Sequence, residues 1–399
     1  MKLSNSDIQV SQHSEPANWV KSDAFQAGVI RELELIPLRL PFKTDFKIAF
    51  GAPRPGIDVL VLKMHTTSGL VGIGETQAWL RQGSRDTLRS LISIIQEQFA
   101  PRLIGKNVFN HASILGELRD CVWSSNYALA PISDALLDLQ GKVLGIPAYQ
   151  LLGGKARDSV CAGITLGISE DEEALLDDVR NWIEKGFTSF TIKVGNDPDR
   201  DAGVVEKVVD AFGDKAIIRA DGNSGMDWAG ALRFMNRVQH LGLDAVEQLL
   251  PPSNLDGMAE LARRYNVPFM ADEAVSSDYD LLKVISMKAA SVFQTKIAKN
   301  GGAWACKRLW EIGSAGGMRI FPGNHPGASV VSAAAIHLAT SWPGPLLEGP
   351  IAVGINEVLA EDIVTEPIPR KGKHLFIGDK PGLGVTLDED KLKRLRVEL

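Results

Sequence analysis

The stretch FTSFTIKVG, residues 187–195, is an apolar, β-branched run with a single lysine, Lys193, near its end. Strands buried on both faces read as near-continuous Val, Ile and Phe, and a fully buried lysine is rare unless it is paired. Taken alone, Lys193 reads as a strand-end lysine whose stem packs while its head reaches water. The neighbouring sequence changes that reading. From residue 159 onward, short apolar runs alternate with amphipathic helical patterns such as DEEALLDDVRNWIEKG and ALRFMNRVQHLG. That rhythm belongs to βα units and a parallel sheet. The runs are CAGITLG, SFTIKVG, AIIRADG, DAVEQLL, PFMADEA, SVFQTKIA, GMRIFPG and a weaker GPLLEGP. They start roughly 24 to 28 residues apart, room for a strand, a helix and two short loops. Eight such units close into a (β/α)8 barrel, or form an open doubly wound sheet if they do not close.

Catalytic groups of a barrel sit where strands end and loops begin. Here successive runs end in Lys193, Asp221, Glu247, Asp272 and Lys296, each embedded in apolar residues. Any one of them has an ordinary explanation: an Asp after a strand caps the next helix, and a lone Glu pairs with Arg219 or a lysine. Five consecutive strand ends in step are harder to assign to capping. Asp221, Glu247 and Asp272 would converge, and three ionised carboxylates cannot share a dry pocket unless something cancels them. A hard divalent cation such as Mg²⁺, with carboxylate, substrate and water oxygens, does so. Lys193 and Lys296, on strands two and six, would lie on opposite sides of it. Such a site suits removal of a proton beside a carboxylate, with the metal steadying the enediolate and a lysine of depressed pKa as base.

The rest of the chain sets bounds. The 399 residues are 45% hydrophobic and 23% charged, with net charge −6. Those values describe an ordinary globular protein of about two domains with no basic face for nucleic acid. Cys121, Cys161 and Cys306 form no CxxC pair and no disulfide framework, which fits a reducing, cytoplasmic setting. No apolar stretch has bilayer length, and residues 1–27 read as a polar extension without a secretory signal. Between residues 28 and 155, alternating runs and helical patterns predict an α+β domain. Within it, GLVGIGE reads as a hairpin turn, a poor nucleotide fingerprint.

These stretches resemble the enolase superfamily, specifically its muconate-lactonizing-enzyme subgroup within the mandelate racemase/muconate lactonizing enzyme family. GIGET, ISDALLDLQGKVLGIPAYQLLGG, TIKVG, ADGN, VEQ, MADEA, TKIAKNGG and KPGLGV carry the resemblance over residues 28 to 386. It implies an α/β chain: a (β/α)7–8 TIM-like barrel over 156–353, an N-terminal α+β capping domain over 28–155, and a C-terminal segment, 354–399, returning to the cap. It also implies one Mg²⁺ per subunit (Mn²⁺ able to substitute) on Asp221, Glu247 and Asp272, with Lys193 and Lys296 as acid/base catalysts and Asn223 and Glu273 as supports. A small carboxylate substrate and a homo-oligomer are expected.

The chain departs from the family pattern at Thr191, which stands where the first lysine of Lys-x-Lys is usual, and it lacks the Asp-x-Asp with which dipeptide epimerases hold an α-ammonium. For His325, in FPGNHPG, the position a His–Asp dyad would use for its acid holds Lys296; with Asn324 it is read as lining the pocket. Cap loops 46–54 and 76–82 would cover the mouth, with Trp79 either stacking on a cationic group or packing between domains. The expected reaction is racemisation or epimerisation of an amino-acid derivative, of proline, hydroxyproline or betaine type. The alternatives are β-elimination from a hydroxylated cyclic amino acid, cycloisomerisation, or a metal-independent binding barrel without catalysis. GNHPG is a poor candidate for a phosphate loop.

Overall fold

The computed structural model describes residues 22–46, 54–78, 86–169 and 171–399. A short helix, Asp23–Ala27, lies inside the stretch read as an extension. Strands β1 (Ile30–Phe46), β2 (Arg54–Thr66) and β3 (Val71–Gln77) then form an antiparallel meander. Its apolar alternation buries Leu60, Leu62 and Met64 against helix α1 (Asn126–Leu144) and the helical run from Leu88 to Leu103. GLVGIGE is mostly strand, not turn. Only Gly69, at φ +87°, belongs to the turn, whereas a Cβ on Gly74 would lie 1.9 Å from the carbonyl oxygen of Pro131 in α1. The glycines let strand and helix backbones touch.

The second half is a curled, seven-stranded parallel sheet: β4 (Ile164–Leu166), β5 (Ser189–Lys193), β6 (Ile217–Asp221), β7 (Ala245–Glu247), β8 (Phe269–Ala271), β9 (Val292–Thr295) and β10 (Arg319–Pro322), adjacent in chain order. Helices α2 (Glu172–Glu184), α3 (Pro198–Phe212), α4 (Trp228–Val238), α5 (Leu255–Arg264), α6 (Asp278–Met287), α7 (Ala303–Ala315) and α8 (Ser329–Ser341) follow the strands in turn. The eighth run, GPLLEGP, forms no strand. Proline lacks the N–H a ladder needs, and this stretch carries Pro345 and Pro350. It still bridges the gap, since Leu347 N–H donates to Ile320 O (3.0 Å) and Gly163 N–H donates to Gly349 O (2.8 Å). Among the described residues no helix is long and apolar enough to cross a membrane.

Cap and barrel are joined by buried carboxylates. Within α1, Asp134 accepts the Ala303 N–H that opens α7 (2.9 Å), and Asp138 accepts Leu383 N–H of the C-terminal segment (2.8 Å) and Ile73 N–H of β3 (2.9 Å). From β3, Glu75 accepts Ala328 N–H (2.7 Å) and Val331 N–H (3.1 Å) at the start of α8. Orphan amides at a helix start are natural partners for an anion. Burial nevertheless pushes Glu75 up to about 7 and Asp134 up to about 7. A carboxyl raised on folding binds its proton more tightly in the native state, so its contribution is full below the unfolded value and is lost as pH rises through the folded one. The melting temperature of wild type minus that of Glu75→Gln should therefore fall as pH rises from about 4.5 to about 7. A difference constant across that window would show that folding leaves the Glu75 pKa unshifted.

Candidate active site

The strand ends meet because side chains alternate along a strand. One interior layer of the barrel holds Ala245, Met270, Val292 and Phe321, with Leu347 from the eighth stave packed against them. The guanidinium of Arg219 lies 4.9 Å from the centre of the Phe321 ring in the same layer. Two residues further along β6, β7 and β8 come Asp221, Glu247 and Asp272. In register, Asp221 sits beside Lys193 on one side and Glu247 on the other. The order round the mouth is thus Lys193, Asp221, Glu247, Asp272, Lys296, as the sequence predicts.

All five lie in or at the edge of the dry interior: Glu247 is 1% exposed, Asp272 0% and Lys296 6%. Lys193 donates to Asp221, and Lys296 donates to Asp272. Burial alone would raise Asp272, but the ammonium groups of Lys296 and Lys299 outweigh it and hold that carboxyl well below its ordinary range. Burial pulls Lys296 down, yet Asp272, Glu247 and Glu273 leave its ammonium held above the usual lysine value, the reverse of the depressed lysine expected from the sequence, because the carboxylates face it uncompensated. For Glu247 the charges of Lys193 and Lys296 do not suffice. Burial, then Asp221 and Asp272, push it well above the carboxylate range, and neither of its oxygens has a hydrogen-bond partner.

Asn223 and Glu273 lie beside the row. Asn223, with φ +42°, donates its N–H to Asp221 Oδ1 (2.8 Å) and its amide to Asp221 Oδ2 (3.2 Å) and Glu273 Oε1 (3.5 Å). Burial and the charges of Asp272 and Asp221 push Glu273 up to about 8. His325 is buried, its ring 5.9 Å from that of Tyr127, and burial followed by Lys296 holds it well below the ordinary histidine value. Its imidazole is therefore neutral at ordinary pH. Asn324 accepts the His325 N–H (3.1 Å). Thr191 is buried on β5 opposite Thr165. Trp79 and the tips of both cap loops, 47–53 and 79–85, lie outside the described residues.

Three residues escape sequence reasoning. Lys299, one helical turn beyond Lys296, is 1% exposed and donates to Asp272 Oδ1 (2.7 Å) and Gln294 O (3.0 Å). The Lys-x-x-Lys spacing of TKIAK was its signal. Gln248, with φ +37°, accepts Asp272 N–H (3.1 Å) and Ala274 N–H (3.2 Å), fixing where β8 ends. Glu357, in the turn Gly354–Val358, accepts Thr165 N–H (2.9 Å) beside β5.

As the side chains stand, no three His, Cys, Asp or Glu among the described residues gather closely enough to hold a metal. Asp221 and Asp272 each turn toward a lysine. The donor set nonetheless fits a hard divalent cation. It comprises three buried carboxylates, and both oxygens of Glu247 and one of Glu273 lack a donor.

A model described as the mandelate racemase / muconate lactonizing enzyme N-terminal domain matches residues 30–153, and one described as enolase C-terminal domain-like matches residues 174–391. N-succinyl-L-Arg/Lys racemase of Bacillus cereus is 29% identical over 374 residues, covering 92% of this chain and 98% of the racemase. Muconate cycloisomerase 1 of Pseudomonas putida is 32% identical over 345 residues, 84% of this chain and 90% of its own. The structure of muconate lactonizing enzyme from Pseudomonas fluorescens with muconolactone superposes with a TM-score of 0.89 at 30% identity, over 93% of this chain and all of that one. Enzymes of this kind abstract a proton from a small molecule, depend on a divalent metal and act as isomerases or lyases. The chain is an enzyme of the isomerase or lyase kind, and it belongs to the enolase superfamily, in its muconate-lactonizing-enzyme subgroup.

Proposed function

We propose that the chain is a racemase or epimerase that moves the α-proton of an amino-acid-derived carboxylate, of proline, hydroxyproline or betaine type. The observation that carries this reading is the order Lys193, Asp221, Glu247, Asp272, Lys296, with an ammonium at each end of a row of carboxylates. A substrate lying across Glu247 would have one lysine on each face. Asp221, Glu247 and Asp272 would hold Mg²⁺, and its positive charge would steady the carbanion that loss of the α-proton leaves. One lysine then takes the α-proton as the other delivers a proton to the opposite face, and the exchange is 1,1-proton transfer. Neutral His325 and the apolar wall exclude water, and Asn223 and Gln248 keep the carboxylates in place. Retention of both lysines favours this outcome over one-base elimination.

The test is α-proton exchange in D₂O with Mg²⁺, using pools of cyclic, N-alkylated and N-acylated amino acids. Lys193→Ala and Lys296→Ala should each slow turnover by ~10²–10⁴-fold and abolish deuterium incorporation into opposite stereoisomers. Release of water during exchange would replace epimerisation by dehydration. If both variants lose the same stereochemical course, the two-base reading fails. Chelation should stop exchange, and Mg²⁺ or Mn²⁺ should restore it. A barrel that binds without catalysis would instead keep its ligand after chelation and exchange nothing.

A further inference from the structure

Glu357 is a carboxylate the proton transfer does not use. It sits in the short helical turn Gly354–Val358 that follows the strandless eighth stave, where the side of β4 away from β5 has no eighth strand to pair with the amide of Thr165. Glu357 Oε2 accepts that N–H at 2.9 Å, standing in for the missing ladder bond. Its other oxygen, Oε1, is buried and has no hydrogen-bond partner, although the residue as a whole is only partly buried. Burial pushes the carboxyl well above its ordinary value despite the opposing charges of Lys193, Lys43 and Arg370. Of these, Lys193 donates its hydrogen bond to Asp221 and not to Glu357. A buried carboxylate oxygen left unmatched is costly, and in an enzyme's mouth a cationic group of the ligand is its natural partner.

The position of this oxygen is informative. Thr165 pairs in register with Thr191, the residue that replaces the first lysine of Lys-x-Lys. A lysine at 191 would put an ammonium in the corner Glu357 borders. This chain keeps the acid and omits the cation, so the corner lacks one positive charge, on the side of the mouth where Lys193 stands.

We infer that Glu357 receives the cationic nitrogen of the substrate, a secondary or quaternary ammonium, with Thr191 making room for it. This rests on the proton-transfer reading and narrows it. The site takes zwitterionic amino acids whose nitrogen is charged, and it disfavours N-acylated ones, whose neutral amide gives the carboxylate less to hold. Glu357 contacts substrate without touching the transferred proton.

The experiment compares α-proton exchange of cyclic amino acids and N-alkylated betaines with that of N-succinyl amino acids, in wild type, Glu357→Gln, Glu357→Asp and Thr191→Lys, each checked for native melting. Wild type should exchange the cationic compounds. Glu357→Gln should lower kcat/KM for them by at least ~30-fold, mainly through KM, and Glu357→Asp should recover part of the loss. Thr191→Lys should lose the cationic compounds in the same way, independently of any effect of Glu357→Gln on barrel closure. If both variants keep wild-type KM for the cationic compounds, the inference is overturned. Exchange confined to N-acylated or nitrogen-free carboxylates also overturns it, while leaving the proton-transfer reading intact. Absence of exchange from every pool overturns that reading and takes this inference with it.

Discussion

The mouth of the barrel places Asp221, Glu247, Asp272 and Glu273 within one dry, converging space. Like charges so placed cannot all ionise unless they are compensated. Three lysines compensate in part: Lys193 on Asp221, and Lys296 and Lys299 on Asp272. The shortfall is concentrated on Glu247, whose two oxygens have no donor, and on Glu273. Buried ion pairs of this kind are poor contributors to stability. Their retention at the one place where seven strands end together makes sense as function, and a dication in the middle of the row is what would balance it.

Several features of the fold hold that row in place. Strand register sets Lys193, Asp221 and Glu247 side by side. Gln248 and Asn223, both at positive φ, use their side chains to fix the loops that carry the acids. The cap is anchored by charges of its own. Glu75 and Asp134 reach the starts of α8 and α7, the two helices after β10 and β9, while Asp138 fastens the returning C-terminal segment. Gly302 packs so close to α1 that a Cβ there would lie 2.3 Å from Ser133 Oγ. The Gly-Gly after the strand-six lysine is therefore a docking surface for the cap's long helix.

Much of this was legible because charge stands out in apolar sequence. Lys193, Asp221, Glu247, Asp272 and Lys296 each interrupt a β-branched or aromatic run, and a strand has only one end where an active site forms. The seven strands were legible for the same reason. The eighth was not, because its prolines remove the donors that define a strand while the segment still fills the gap. Lys299 and Gln248 were obscured by more conspicuous neighbours, and Glu357 by lying in a turn whose sequence has no periodicity. GLVGIGE misled because glycine marks close backbone approach as readily as a turn. Thr191 was visible as a departure, but its meaning depends on Thr165 beside it and on Glu357 across from both, a juxtaposition only the fold creates.

The account depends most on the row of acids being one cation short. Isothermal titration of the metal-free protein with Mg²⁺ and Mn²⁺, for wild type and Glu247→Gln, addresses this directly. One divalent ion per chain in wild type, bound at least ~30-fold more weakly when the Glu247 charge is removed, is the predicted result. Binding of no ion by wild type, or equal binding by Glu247→Gln, would contradict it and leave the lysines of the mouth as structural ion pairs.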